Sequence, residues 1–127
     1  MKKLIVCLVT FLSLAFVFNS CTKEDISFDE TLLYGKWVST SGVHSGSVYF
    51  KYLADGNGGT WDTADNVLES EAQPFTWTLV KSELTQIHIM QIGGNIPKVY
   101  TVTELTASSL KYHDDYGANF SFTKVVQ

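Results

Sequence analysis

The sequence predicts a single all-β domain, folded as an antiparallel sandwich or barrel. Its 127 residues allow one domain of ordinary size. From Leu32 onward no long segment shows the helical period, and short runs rich in β-branched and aromatic residues alternate with turn residues at close spacing. An apolar fraction of 45% supplies enough side chains for a packed core, which argues against disorder.

Eight strands are predicted, each bounded by short polar or glycine-containing links. They are expected at 35–40, 47–53, 58–62, 74–80, 84–90, 98–105, 109–114 and 118–125. Eight antiparallel strands paired in sequence order leave two exposed edges unless the first strand pairs with the last. Closure into a barrel is therefore expected.

Alternation within the strands separates two faces of the predicted sheet. In segment 75–79 three large apolar residues alternate with two threonines, and segment 48–52 likewise places three apolar residues on one face. Ile87 and Ile89 face opposite to a histidine and a methionine, so that strand is expected to be covered on both sides. The alternation shifts near Glu104, which indicates a β-bulge.

Two of the connections between predicted strands have distinctive features. Segment 55–59 is Asp-Gly-Asn-Gly-Gly, whose residues tolerate the positive φ of a tight hairpin. It resembles the start of a calcium loop, but Thr60 and Asn66 stand where that motif requires Gly and Glu, so a hairpin is favoured. Segment 62–73 is the one connection long enough to form a lid or a short helix.

The first 20 residues are predicted to be a secretory signal peptide. Lys2 and Lys3 precede an apolar run of about 15 residues, which is shorter than the ~20 that a membrane-spanning helix needs. The segment Phe18-Asn19-Ser20-Cys21 resembles a bacterial lipobox. That resemblance implies a signal peptide over 1–20, a lipidated tether over 21–31 and a folded domain over 32–127.

A lipid on Cys21 would decide where the protein resides. Several acyl chains, such as palmitate, on one residue are sufficient for stable membrane anchoring. Cys7 leaves with the signal peptide, so no thiol remains for a disulfide. Segment 23–25, Lys-Glu-Asp, resembles the surface-export signal of lipoproteins from gut-type Gram-negative anaerobes. We expect an outer-membrane lipoprotein exposed at the cell surface, with the periplasmic face as the alternative.

Four motifs follow one another along 32–126: Gly35-x-Trp37, Phe75-x-Trp77, segment 102–106 and the closing segment 120–125. Their order resembles the small lipocalin-like domains carried by lipoproteins of these bacteria. The resemblance implies an up-and-down barrel in which Gly35 and Trp37 close one end. Such barrels often stack an arginine from the last strand on the tryptophan. This chain has no arginine, and Lys124 is the available substitute.

Composition and motifs argue against several classes of function. Without residues 1–20, seven lysines against 13 acidic residues give a net charge of −6, which disfavours a nucleic-acid partner. The chain has no Gly-x-Ser-x-Gly run and no cysteine-nucleophile pattern, so we expect a non-enzyme without a cofactor. His44, His88 and His113 lack the spacing of a metal site.

The aromatic residues leave two hypotheses open. An eight-stranded barrel is just wide enough to be filled by side chains or to hold one small ligand. In the first hypothesis, a small apolar or amphipathic molecule enters the mouth opposite Trp37 and is bound by Trp77, Tyr100 and Tyr112. In the second, the interior is solid and the loops contact proteins or glycans. The sequence does not indicate the oligomeric state. Thr63 lies in an Asp-Thr-Ala pattern that resembles an O-glycosylation acceptor. Further interior candidates are Phe50, Trp61, Phe75 and Phe120.

Overall fold

The computed structural model describes residues 26–126, and these residues form an all-β domain. The predicted signal peptide, Cys21 and segment 23–25 lie outside the described residues. The eight predicted strands are all present, close to their expected bounds. They are β1 Gly35–Ser39, β2 Val48–Tyr52, β3 Asn57–Asp62, β4 Gln73–Val80, β5 Glu83–His88, β6 Ile96–Leu105, β7 Ser109–His113 and β8 Asn119–Lys124.

The strands close into an antiparallel up-and-down barrel, which confirms the predicted fold class. Each strand pairs with the next, and β1 also pairs with β8 through Trp37↔Lys124 and Ser39↔Phe122. The predicted bulge is confirmed, because the β6–β7 register shifts between Val102 and Glu104. Closure removes the sheet edges that eight strands in sequence order would otherwise expose. No helix within 26–126 is long and apolar enough to span a membrane.

One end of the barrel, called the closed end here, is sealed by the segment that precedes β1. A 3₁₀ turn over Glu30–Leu32 begins at Asp29, whose side chain accepts a hydrogen bond from the Thr31 N–H. Leu33 is fully buried, and the Phe28 N–H donates to the Lys81 carbonyl. Part of the segment that the sequence assigned to a tether is therefore packed against the domain.

Trp37 fills the closed end, next to Lys124. Its indole is fully buried, and Nε1 donates to the Leu33 carbonyl at 2.8 Å. The Lys124 Nζ lies 4.9 Å from the indole centroid and donates to the Leu32 carbonyl at 2.9 Å. Gly35 has φ +121°, and a Cβ there would lie 3.1 Å from Lys124 Cε, so a side chain would strain the backbone and crowd the lysine.

Aromatic rings continue the core from the closed end to the middle of the barrel. Tyr52 and Phe75 are almost fully buried, and their centroids lie 5.5 Å apart in an edge-to-face arrangement. Gly58 makes this packing possible, because a Cβ there would lie 2.5 Å from the Lys51 carbonyl oxygen and 2.6 Å from the Phe75 ring. Burial of these rings supplies the apolar area that a domain of this size needs.

Trp61 does not point into the barrel, which corrects its place among the interior candidates. It pairs with Tyr49 on the outer face, where the two rings stack with centroids 5.3 Å apart. Segment 62–73 folds back over this face, and its Glu69 carboxylate accepts from Lys36 at 2.7 Å and from Lys51 at 3.1 Å. The segment forms two 3₁₀ turns, Thr63–Asp65 and Glu69–Glu71, rather than a lid.

β5 also departs from the expectation that both of its faces are covered. Ile87 is 36% exposed on the outer face, whereas Gln86 and His88 are buried on the inner face. The register Trp77↔Gln86 and Phe75↔His88 places both polar side chains among inward-facing aromatic rings. Apolar character alone therefore does not identify the inner face of this strand.

Candidate ligand cavity at the barrel mouth

The end of the barrel opposite Trp37 holds a cavity of about 370 Å³, called the mouth cavity here. It opens where β1, β2, β6, β7 and β8 reach the loops at this end. The closed half below it is filled by core side chains. The cavity is lined by Ser39, Ser41, Val43, His44, Val48, Phe50, Lys98, Tyr100, Tyr112, Phe120 and Phe122.

Aromatic rings from four strands form the cavity wall. Strand register brings them together, because Tyr112 pairs with Phe120 and the neighbouring pair is Leu110↔Phe122. Tyr112 lies 4.5 Å from Tyr100 and 5.3 Å from both Phe120 and Phe122, measured between ring centroids. Phe50 completes the wall at 5.3 Å from Phe122. The wall is therefore predominantly apolar, as small-molecule sites usually are.

A buried polar chain crosses the barrel interior. The Gln86 Nε2 donates to the Tyr52 hydroxyl at 2.7 Å, so the Gln86 Oε1 is the acceptor for His88 Nε2 at 3.2 Å. His88 must therefore carry its proton on Nε2. Within 26–126, every buried side-chain nitrogen and oxygen has a hydrogen-bond partner. Each of these buried polar atoms thus already has at least one partner within the protein.

The buried ionisable groups of the interior are held in their neutral forms. Burial, and then the nearby positive charge of Lys98, lower the pKa of His88. Burial raises the pKa of the Tyr52 and Tyr112 hydroxyls well above the ordinary value, and burial also raises that of Tyr100. The interior is consequently uncharged at neutral pH up to the rim.

Lys98 places a positive charge at the rim of the mouth cavity. It pairs with Gln86, so its side chain leaves β6 on the inward face that also carries Tyr100. In the described part of the chain, no carboxylate lies within 4 Å of its Nζ. Its charge thus has no protein counter-ion among these residues.

A side cleft of about 460 Å³ adjoins the mouth cavity. β6 pairs with β7 only from Thr101 onward, so its first half stands apart from the turn that joins β7 to β8. Lys98, Tyr100 and Phe120 line both the cleft and the mouth cavity. On its far side the cleft carries Asp114 and Asp115. The barrel wall is therefore interrupted beside Lys98.

The rim also brings together three residues that could ligate a metal, although the sequence spacing did not indicate one. Ligand atoms of His44, Asp62 and Asp65 lie within 4.8 Å of one another. His44 Nδ1 contacts Asp62 Oδ2 at 2.5 Å, and Asp62 Oδ1 accepts from the Ala64 N–H at 2.8 Å. Burial alone would raise the pKa of Asp62, but these hydrogen bonds together lower it. Both carboxylate oxygens of Asp62 thus already have hydrogen-bond partners within the rim.

The predicted site residues divide between the two halves of the barrel. Tyr100 and Tyr112 line the mouth cavity, whereas Trp77 does not. The Trp77 ring packs edge-on against Tyr52, and its Nε1 donates to the Asn57 carbonyl at 3.0 Å. Gly35, Trp37 and Lys124 lie together at the closed end, as described above.

Sequence reasoning missed four inward-facing polar residues. They are Ser39, Gln86, His88 and Lys98. The period of two along β6 was a usable signal, because Lys98 must share the face of Tyr100, which the sequence did place inside. No comparable signal existed for Gln86 and His88, since they alternate with apolar residues that a sequence reader places inside.

The described residues thus define a closed up-and-down β-barrel module with a cavity at one end. This architecture is compatible with a lipocalin-like fold. Comparison with protein-family models, with curated proteins and with solved structures finds no significant match to this chain.

Proposed function

We propose that this protein is a non-enzymatic binding module that takes a small apolar or amphipathic ligand into the mouth cavity. The observation that carries the proposal is the aromatic wall around about 370 Å³ of space at the barrel mouth. This volume falls within the range of about 300–1,000 Å³ typical of small-molecule sites.

The two halves of the barrel support entry from the mouth. Trp37, Leu84 and Leu110 are fully buried and fill the closed half, so a ligand has no route from that end. At the mouth the wall rings are only partly covered, as Phe50, Tyr100 and Phe120 show. A ligand that covers these apolar rings removes them from water, and this burial favours binding.

We further propose that lipid on Cys21 anchors the module at the outer membrane, on the cell surface. Phe28, which is hydrogen-bonded at the closed end, lies seven positions after Cys21 in the chain. Such a span reaches at most about 25 Å when fully extended. The closed end would then lie near the membrane, and the mouth would face the surrounding medium. A ligand would be taken from that medium rather than from the anchoring membrane.

Anchoring is tested by intact-mass analysis of the protein isolated from its native envelope. We expect the loss of residues 1–20 and a gain of acyl mass on Cys21. The Cys21→Ala variant should partition into the aqueous phase of a detergent extraction. If that variant still partitions fully into detergent, the anchor is not on Cys21.

Ligand binding is tested with the neutral fluorophore N-phenyl-1-naphthylamine, which brightens in apolar sites. We expect saturable binding by the wild-type domain and displacement of the probe by alkyl amphiphiles. Val48→Trp adds an indole to the cavity wall and should abolish binding. Leu53→Trp adds the same group to an exposed loop at the closed end and should leave binding unchanged.

Urea midpoints of both variants verify that they are folded. Probe binding by Val48→Trp at wild-type affinity would contradict the location of the site. Failure of the folded wild-type domain to bind the probe or any amphiphile would favour the alternative, a surface module that contacts proteins or glycans through its loops.

A further inference from the structure

We propose that the ligand of the mouth cavity is an anionic single-chain amphiphile whose acid group binds Lys98 while its apolar tail lies against the aromatic wall. This inference rests on the proposed function and specifies the class of ligand. Three features of the protein support it: the charges at the cavity, the hydrogen bonding of the polar groups below it, and the position of Lys98 between the cavity and the side cleft.

The charge at the mouth cavity is opposite to the charge of the protein. The chain carries a net charge of −4, with 13 acidic residues against nine lysines. The residues that line the cavity nevertheless include Lys98 and no carboxylate, and the one imidazole among them, that of His44, contacts Asp62 at the rim. An acidic protein that presents an unpaired cation at the rim of an apolar cavity favours a ligand with the opposite charge.

The interior below the cavity does not suit a polar head group. The amide of Gln86 is fully buried and already bonded to Tyr52 and His88, and no buried polar atom among residues 26–126 lacks a partner. A head group placed there would lose its hydration and would have to compete with these existing hydrogen bonds. The tail must therefore point inward and the head outward, at the level of Lys98.

The side cleft fixes on which side of Lys98 an anion is stable. Asp114 and Asp115 line the far wall of the cleft, so an acid group there would face two carboxylates. On the mouth side, the lining carries the uncharged hydroxyls of Ser39 and Ser41 instead. The negative head group is consequently expected on the mouth side, with Lys98 between it and the cleft.

The test compares alkyl chains of one length that differ only in the head group. Decanoate, decyl phosphate, decanol and decylamine displace N-phenyl-1-naphthylamine in titrations at neutral pH and low salt. Decanoate and decyl phosphate separate a fatty acid from a phosphorylated lipid as the source of the acid group. We expect at least one of the two anions to bind about tenfold more tightly than decanol, as a charge-assisted hydrogen bond would provide.

The variant Lys98→Met should remove that preference, so that decanoate, decyl phosphate and decanol bind to it with similar affinities. Lys98→Glu should reverse the preference in favour of decylamine. The matched control is Lys111→Met, because Lys111 lies on the outer face of β7 with its ion-pair partner Glu104. This control should retain the wild-type order of affinities, and the anion preference should weaken as salt is added.

Two results would overturn the inference, and they differ in what else they affect. If decanol binds and neither anion binds more tightly, or if Lys98→Met keeps the preference, the head-group assignment is wrong while the binding function stands. If no amphiphile binds to the folded wild-type domain, both the head-group assignment and the proposed function are wrong.

Discussion

The closed half and the open half of this barrel differ in the polarity and the burial of their inward-facing residues. At the closed end the inward-facing residues are apolar and fully covered, with Trp37, Leu84 and Leu110 shielded from water. Toward the open end, β5 and β6 place Gln86 and Lys98 on the inner face. The packed core and the cavity are therefore separated along the barrel axis, so that the solid half allows the other half to keep a cavity.

The loops repeat this contrast. At the closed end, short turns and the segment before β1 seal the core. At the open end, three loops expose apolar side chains at their tips, with Val43 99%, Ile92 90% and Tyr116 95% exposed. Side chains so poorly packed contribute little to folding. Changes at the two ends are therefore expected to affect different measurements: stability for the closed half, and binding for the open half.

The largest expected effect is the loss of Trp37. Trp37→Ala should lower the free energy of unfolding by about 3–5 kcal/mol, because it empties a fully buried site and removes the Nε1 hydrogen bond to Leu33. Phe120→Ala removes a half-buried ring at the mouth and should cost about 1–2 kcal/mol. Urea unfolding curves of the two variants measure both. An equal or larger loss for Phe120→Ala would break the division into two halves.

The next largest effect is expected at the buried polar chain between the halves. Gln86→Leu leaves the Tyr52 hydroxyl and the His88 imidazole without their amide partner and should cost about 1–3 kcal/mol. Gln73→Leu changes an exposed glutamine of β4 and should stay within about 0.5 kcal/mol of the wild type. A neutral result for Gln86→Leu would mean that the polar chain contributes nothing to the fold.

The fold was predictable because local signals agreed with one another. Alternation in 48–52 and 75–79, the glycine-rich turn at 55–59 and the face shift at Glu104 each indicated the element that the structure shows. The closure of the barrel followed from counting strands that would otherwise leave open edges. These are properties of short segments and their neighbours.

The site was predictable only in part, because alternation distinguishes two faces without saying which face is inside. Trp61 is aromatic yet lies outside, where it stacks on Tyr49 beside segment 62–73. Trp77 faces inward but belongs to the core, because its depth along the barrel depends on strand tilt and register. Tyr100 and Tyr112 line the mouth cavity, and Lys98, which sequence reasoning missed, shares their face.

A smaller effect is expected from Lys124 at the closed end. Lys124→Met removes the hydrogen bond to the Leu32 carbonyl and the ammonium above Trp37. The substitution keeps an unbranched side chain of similar length. The side chain is partly exposed, so we expect a loss of about 1 kcal/mol. Lys111→Met should change stability by less than about 0.5 kcal/mol. A loss for Lys124→Met that exceeds the loss for Trp37→Ala would contradict the view that burial dominates this end.

The smallest effect expected is a dependence on pH that arises in the open half. Burial, and then Lys98, lower the pKa of His88 below the 6.5 of an unfolded chain, so the unfolded state binds more protons in that range. The contribution of His88 to stability is therefore complete above about pH 6.5 and is lost as the pH falls toward the folded pKa. Acidification should destabilise the wild type more than His88→Gln.

Urea midpoints of the wild type and His88→Gln, measured across this range, give the difference directly, and the carboxylates that titrate in both proteins cancel. The same series for His113→Gln, whose ring lies at the end of β7, controls for the general effect of losing an imidazole. If the midpoints of the wild type and His88→Gln fall in parallel on acidification, folding does not lower the pKa of His88. The folded barrel would then be charged at His88 below about pH 6.5, and an anionic ligand that enters tail first would meet a second cation beneath Lys98 only in that acidic range.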